Sequence, residues 1–230
     1  MTAAPALRPA GALTFRCLSR LLTYPQEDLR AAVPRIAQIL DVEGLLGEAA
    51  KAGVNRLLTD LATADLLDLQ ERYVELFDRQ RSLSLHLFEH VYADSRDRGP
   101  AMVELKRAYE AAGLEITANE LPDFLPLYLE YLSVLPLDEA RRRLRDPLAV
   151  IGALGRRLRQ RDEGYAAVFA ALEDLAGAPA PEEAVAALLG DGEPAEEDAQ
   201  ALDETWAEEP VGFMGGACAA RHQSRVPGRE

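Results

Sequence analysis

The residues with the clearest capacity for chemistry are two histidines and a glutamate in the segment HLFEH, residues 86–90. The pattern H-x-x-E-H is the signature of one class of zinc peptidase, in which two histidines one helical turn apart bind the metal and the glutamate activates water. On a helical wheel His86, Glu89 and His90 fall on one strip. The opposite strip is apolar and holds Leu83, Leu87, Phe88 and Val91. The spacing therefore permits a zinc-dependent hydrolase as one hypothesis.

A catalytic zinc site also needs a third protein ligand, and no spacing in the chain identifies one. Glu104, Glu110 and Glu130 are equal candidates. Three fixed positions in five residues also arise easily by chance. The chain has three histidines in all, so few side chains could exchange protons near neutral pH. We therefore predict that the protein is not an enzyme and has no catalytic residue, no metal site and no cofactor of its own.

Composition and charge narrow the classes of partner. The chain has 230 residues, of which 48% are hydrophobic, and its 25 basic and 39 acidic residues give a net charge of −14. Such a surface repels nucleic-acid phosphates and anionic lipids, and it attracts basic protein segments. No run of 18 apolar residues is present to insert into a membrane, and no secretory signal pattern opens the chain. With only two cysteines, Cys17 and Cys218, the chain is predicted to be cytoplasmic.

The hydrophobic periodicity is helical along most of the chain, and no comparable segment alternates with period two. Gly113 is predicted to end a helix that begins near Pro100, and Pro126 requires that the next helix begin close to residue 122 or 123. The fold class is therefore all-α. The predicted helices span 13–23, 28–40, 43–61 with a break at Gly53, 64–79, 100–113, 122–131, 138–144, 147–161, 165–175 and 181–189.

We predict one domain, a helical bundle over residues 13–189, with a flexible N-terminus over residues 1–12. Residues 182–209 contain 11 acidic residues and no Lys or Arg, and the chain beyond them is rich in glycine. A segment of this composition buries too little apolar surface to offset its chain entropy. Residues 190–230 are accordingly predicted to be a flexible, disordered acidic tail.

Aromatic residues crowd the segment from residue 73 to residue 131, which holds eight of the 14 in the chain. Aromatic side chains build cores, and they also anchor partner helices because they combine large area with few rotatable bonds. Most of the charged residues between them are acidic. The segment could therefore be a core with a solvated surface, or an apolar groove whose acidic rim receives a basic amphipathic peptide. The eight are Tyr73, Phe77, Phe88, Tyr92, Tyr109, Phe124, Tyr128 and Tyr131.

Three blocks in this region resemble one family. RYVELFDR, LFEHVYADSRDRGPAM and ELPDFLPLYLEYLS are similar to the corresponding blocks of the respiratory nitrate reductase assembly chaperones, the delta-subunit family. The similarity is weaker at SRLLTYP and reappears at WAEEPVGF. The resemblance implies an all-helical cytoplasmic chaperone that binds the N-terminal tail of the apo catalytic subunit of nitrate reductase. It also implies that the chaperone holds that subunit until the molybdenum cofactor and an iron–sulfur cluster are inserted.

The same resemblance implies which residues bind the partner peptide. Phe124 departs from the family pattern, which frequently has histidine or tyrosine at that place. The implied peptide-binding residues are Tyr73, Phe77, Glu89, His90, Tyr92, Arg96, Pro122, Asp123 and Tyr128.

Two alternatives stay open beside the chaperone, namely the zinc-dependent hydrolase and a helical adaptor that is not a chaperone.

Overall fold

The structure is a computed structural model, and it describes residues 12–92, 95–116 and 120–190. Within these ranges the chain forms eleven α-helices and no β-strand, which confirms the all-α prediction. The predicted flexible ends lie almost wholly outside the described residues, and the domain limits at 13 and 189 stay a prediction. The helices are α1 (Ala12–Leu21), α2 (Glu27–Glu43), α3 (Glu48–Thr63), α4 (Leu66–Tyr73), α5 (Leu87–Tyr92), α6 (Arg98–Ala111), α7 (Leu125–Leu132), α8 (Leu137–Leu144), α9 (Leu148–Arg159), α10 (Glu163–Ala176) and α11 (Glu182–Gly190).

The core lies where α10 packs against α3 and α9, and where α1 packs against α2 and α7. Phe15, Leu154, Tyr165 and Phe169 are among its fully buried side chains. The burial of such apolar side chains is the main favourable term in folding. None of the described helices has both the length and the apolar composition needed to cross a bilayer.

The predicted break at Gly53 is wrong, because α3 continues through it. A Cβ atom on Gly53 would lie 2.9 Å from the Cβ of Ala167 on α10, so this glycine serves close helix packing. The break comes earlier, at Gly44, whose φ of 58° in the left-handed region ends α2. Gly113, with φ of 77°, ends α6 as its position after the apolar face predicted.

The helix predicted over residues 64–79 differs from the observed structure at both of its ends. Ala64 ends α3, and the Asp65 side chain accepts a hydrogen bond from the amide of Leu67 at 2.8 Å to begin α4. After Tyr73 the chain continues as a π-helical turn over Val74–Asp78, where the amide of Arg79 donates to the carbonyl of Val74 at 3.0 Å. A hydrophobic period of 3.6 residues does not predict this wider turn.

The segment around HLFEH is also not one continuous helix. A short 3₁₀ turn, Arg81–Leu83, precedes an extended stretch in which His86 forms an isolated antiparallel bridge with Phe124. The amide of Leu125 donates to the carbonyl of Leu85 at 2.8 Å on one side of this bridge. Helix α7 therefore begins at Leu125, later than predicted, because the backbone before it is engaged in the bridge.

Candidate functional site

Two hollows flank α5, and the larger is apolar. We call it the apolar groove; it has a volume of about 560 Å³ and is formed by side chains from α5, α6, α7, α8, α9 and α11. A groove of this size and character is typical of sites that bind a ligand or the apolar face of a peptide helix. Its lining residues are Leu87, Phe88, Val91, Tyr92, Ala101, Glu104, Leu105, Ala108, Tyr128, Arg143, Asp146, Pro147, Ala149, Val150 and Leu188.

The second hollow, which we call the polar cleft, has a volume of about 470 Å³. Charged and amide side chains surround its aromatic residues, and most come from the π-helical turn and the residues that lead to α5. Its lining residues are Tyr73, Phe77, Asp78, Arg79, Gln80, Arg81, Ser84, Leu85, His86, Glu89 and Phe124.

Helix α5 separates the two hollows and contributes to both. Leu87, Phe88, Val91 and Tyr92 line the apolar groove, whereas Glu89 lines the polar cleft together with His86, which immediately precedes the helix. The predicted apolar strip therefore lines the apolar groove from residue 87 onward. Of the predicted polar strip, His86 and Glu89 line the polar cleft, whereas His90 lines neither hollow.

The geometric basis of the zinc hypothesis is wrong, because His86 lies before α5 in extended backbone. Its Nδ1 lies 3.3 Å from the Oδ1 of Asp123, and its ring packs against Phe124 with a centroid distance of 5.3 Å. The hydrogen bond to the Asp123 carboxylate raises the pKa of His86 above its usual value.

The ring of His90 is engaged elsewhere. Its Nε2 lies 2.8 Å from the carbonyl oxygen of Ser84, so this nitrogen carries the proton and donates it. Burial lowers the pKa of His90 and favours the neutral ring. Among the described residues, no group of three or more His, Cys, Asp or Glu side chains is placed to hold a metal ion.

Two of the predicted peptide-binding aromatics, Tyr73 and Phe77, belong mainly to the core. Both are buried, and their rings pack against the fully buried Tyr165 at centroid distances of 6.3 and 5.1 Å. The hydroxyl of Tyr73 donates to the carbonyl of Leu22 at 3.0 Å. The core interpretation therefore applies to most of their surface, although both residues also line the polar cleft.

Tyr92 and Tyr128 are the two predicted residues that line the apolar groove. The Tyr92 side chain is partly exposed and meets Phe88 edge to face at 5.2 Å. Tyr128 is only 6% exposed, and its hydroxyl donates to the carbonyl of Arg143 at 2.6 Å. Burial raises the pKa of Tyr128, so the hydroxyl stays protonated and keeps this bond near neutral pH. Tyr128 therefore presents ring surface to the groove.

Asp123, also among the predicted peptide-binding residues, does not belong to an acidic rim, because this residue is 0% exposed. Its Oδ2 accepts from the amide of Phe88 at 3.0 Å. Pro122, beside it, accepts from the hydroxyl of Tyr109 at 2.6 Å through its carbonyl. Asp123, Pro122 and His90 are absent from the lining of both hollows.

The two remaining predicted residues are charged. Glu89 forms an ion pair with Arg98 at 3.5 Å at the edge of the polar cleft. Arg96 is exposed and lines neither hollow. The nine predicted residues thus do not form a single groove.

Several residues that line the apolar groove were not among the predicted peptide-binding residues. Leu105 could have been found, because it shares an apolar face of α6 with Met102 and Tyr109. Ala149 on α9 and Leu188 on α11 are distant in sequence, and only the packing of α9 and α11 brings them to the groove.

The sequence of this chain is similar to that of a known protein family. The family model "Nitrate reductase delta subunit" matches residues 26–171. The chain is 42% identical over 216 residues to the nitrate reductase molybdenum cofactor assembly chaperone NarJ of Escherichia coli strain K12, covering 92% of this chain and 91% of that protein. It is 46% identical over 195 residues to the probable chaperone of the same kind, NarW, from that strain, covering 77% of this chain and 84% of NarW.

More distant relatives agree with this pattern. A probable nitrate reductase molybdenum cofactor assembly chaperone of Bacillus subtilis strain 168 is 32% identical over 171 residues, with 71% of this chain and 90% of that protein covered. The fold is also similar to a crystal structure of a putative redox enzyme maturation protein from Archaeoglobus fulgidus, with a TM-score of 0.53 and 18% identity. That match covers 74% of this chain and 96% of the other, and at this identity it is evidence for the fold alone.

Proposed function

This chain belongs to the nitrate reductase delta subunit family, and from that premise we propose that it is a molybdenum cofactor assembly chaperone for a respiratory nitrate reductase. In this proposal it binds the N-terminal segment of the apo catalytic subunit in the cytoplasm and holds that subunit until the molybdenum cofactor is inserted. The protein performs no chemistry of its own. It contributes a binding surface, which the apo catalytic subunit occupies and which the mature reductase has left.

The observation that carries the proposal is the apolar groove. Val91 is 60% exposed although it stands on the apolar side of α5, and the rings of Phe88 and Tyr92 beside it are only half-buried. Exposed apolar groups that line one concave surface are typical of a site for a partner. An amphipathic helix satisfies such a groove with anchors one turn apart.

Charge supports a basic partner segment. The chain has a net charge of −14, and two carboxylates, Glu104 and Asp146, stand in the groove. Among the described residues that line the groove, Arg143 is the cationic one, and it already forms an ion pair with Glu139 at 2.8 Å. A peptide with an apolar face and flanking basic residues is therefore favoured, and long-range attraction should speed its association at low salt.

The test is titration calorimetry with a synthetic peptide of the N-terminal segment of the partner catalytic subunit. Val91→Asp places a charge in the groove and should weaken binding at least tenfold, or about 1.4 kcal/mol. Val42→Asp is the matched control, because Val42 is 79% exposed on α2 and lies outside the groove. It should bind as the unaltered protein does.

A second pair tests an aromatic anchor. Tyr92→Ala should cost about 1–3 kcal/mol of binding free energy if the ring is a hot spot. Tyr24→Ala is its control, since Tyr24 is a partly exposed tyrosine outside the groove. No binding by the unaltered protein, or equal losses in both members of each pair, would refute the peptide-binding proposal.

A cellular measurement separates the chaperone from a helical adaptor. Deletion of the gene should yield reductase with a reduced molybdenum content, which metal analysis of the purified enzyme measures. Reductase with its full molybdenum content would favour the adaptor.

A further inference from the structure

We propose that Asp123 is a positioning residue that holds α5 as the shared wall of the apolar groove and the polar cleft. In this role, which rests on the proposed function of the groove, Asp123 sets the affinity for the partner segment without touching it. The Asp123 side chain is fully buried and lines neither hollow. A buried carboxylate requires donors at its oxygens, and Asp123 finds them in α5 and the residue before it.

Asp123 makes three contacts with consecutive residues at the start of α5. Its carbonyl accepts from the amide of Leu87 at 3.0 Å, and its Oδ2 accepts from the amide of Phe88 at 3.0 Å. Its Oδ1 lies 3.3 Å from the Nδ1 of His86. The first amides of a helix have no partner inside it, so Asp123 supplies from a distant segment the acceptors that a capping residue would supply locally.

Helix α5 depends on this support because it is short. It has six residues, Leu87–Tyr92, and a helix of that length is not stable by itself in water. A carboxylate at its N-terminus also interacts favourably with the helix dipole. Removal of the Asp123 carboxylate should therefore loosen α5 before it affects the rest of the fold.

The position of α5 determines the width of the apolar groove. Phe88, whose amide Asp123 holds, lines the groove on α5, and Tyr128, five residues after Asp123, lines it on α7. Asp123 thus joins two walls of the groove. On the other side, His86 and Phe124 line the polar cleft, so the same contacts connect the shapes of the two hollows.

The experiment measures amide hydrogen exchange in α5 and peptide affinity in the same variants. Asp123→Ala should raise the exchange rates of the Phe88 and Glu89 amides at least tenfold relative to core amides of α9, and should weaken peptide binding at least tenfold. Asp123→Asn keeps the side-chain volume and one acceptor oxygen, so both effects should be smaller. If Asp123→Ala does not fold, the same two readouts on Asp123→Asn decide.

Glu43 provides a matched control, because its carboxylate accepts from the amides of Leu13 and Thr14 at 3.2 and 2.8 Å and so caps α1 from another segment. Glu43→Ala should lower the melting temperature without changing α5 exchange or the affinity of the folded molecules. A general loss of stability would affect the two variants alike and would overturn the proposal.

Two other results would also overturn it. Weaker binding with unchanged α5 exchange would mean that Asp123 acts by some route other than α5. Faster exchange with unchanged affinity would mean that the position of α5 does not set affinity. If the unaltered protein binds no peptide, the proposed function fails, while exchange in α5 still decides whether Asp123 holds the helix.

Discussion

The hydroxyl of Tyr128 distinguishes a residue that supports the groove from one that contacts the partner. Because the hydroxyl donates to the carbonyl of Arg143 at 2.6 Å, Tyr128→Phe removes one partly buried hydrogen bond and leaves the ring in place. The loss of such a bond costs about 1 kcal/mol of unfolding free energy. In a domain of this size that corresponds to a melting temperature lower by about 2–4 °C.

Truncation of the ring is a larger change. Tyr128 is 6% exposed, and replacement of a buried aromatic residue by Ala costs about 3–5 kcal/mol. At the same proportionality the melting temperature of Tyr128→Ala should fall by about 6–20 °C. Thermal unfolding followed by circular dichroism measures both variants, and peptide titration well below each melting temperature measures the affinity of the folded molecules.

The decisive result is the affinity of Tyr128→Phe. It should equal that of the unaltered protein, because the hydroxyl is directed at Arg143 and not at an occupant of the groove. Tyr109→Phe is the matched control, since its hydroxyl makes the same kind of bond, to the carbonyl of Pro122, and the residue lies outside the groove. A Tyr128→Phe protein with an unchanged melting temperature and tenfold weaker binding would refute this reasoning.

Three further predictions concern packing, pH and metal. Gly53→Ala should destabilise the fold by about 1–3 kcal/mol in denaturant unfolding because its Cβ would meet α10, whereas Gly99→Ala, with nothing within 4 Å, should not destabilise it. Asp123 raises the pKa of His86. The stabilisation that the charged His86 ring gives to the folded state is therefore complete below about pH 6.5 and is lost as the pH rises through the folded-state pKa. His86→Gln should accordingly destabilise the fold most in acid. Burial lowers the pKa of His90, so the stabilisation that the neutral His90 ring gives to the folded state is present above about pH 6.5 and is lost as the pH falls. The loss of unfolding free energy in His90→Gln should therefore be smaller in acid. Equal pH dependence of the unfolding free energy in the two variants would contradict both assignments. Metal analysis should find no stoichiometric zinc and peptidase assays no activity, because both rings are bonded elsewhere; one zinc per chain that His90→Ala removes would contradict this.

Much of the fold follows from local rules that a sequence displays directly. The helical period, the left-handed stop at Gly113 and the restriction that Pro126 places on the preceding turn all depend on residues a few positions apart. Net charge and the three family blocks are also properties of the chain alone. From these features the all-α class, most helix positions and the family could be predicted.

The tertiary structure decided the features that depend on residues far apart in the chain. Gly53 has its role only because Ala167 packs against it, and His86 leaves the helical pattern because its backbone pairs with Phe124. Asp123 is hydrophilic in type, yet it is buried because α5 supplies donors to its carboxylate. The apolar groove likewise exists only once α9 and α11 bring Ala149 and Leu188 beside α5. Side-chain periodicity reports which face of a helix is apolar, but the choice between core and groove depends on which other helices cover that face.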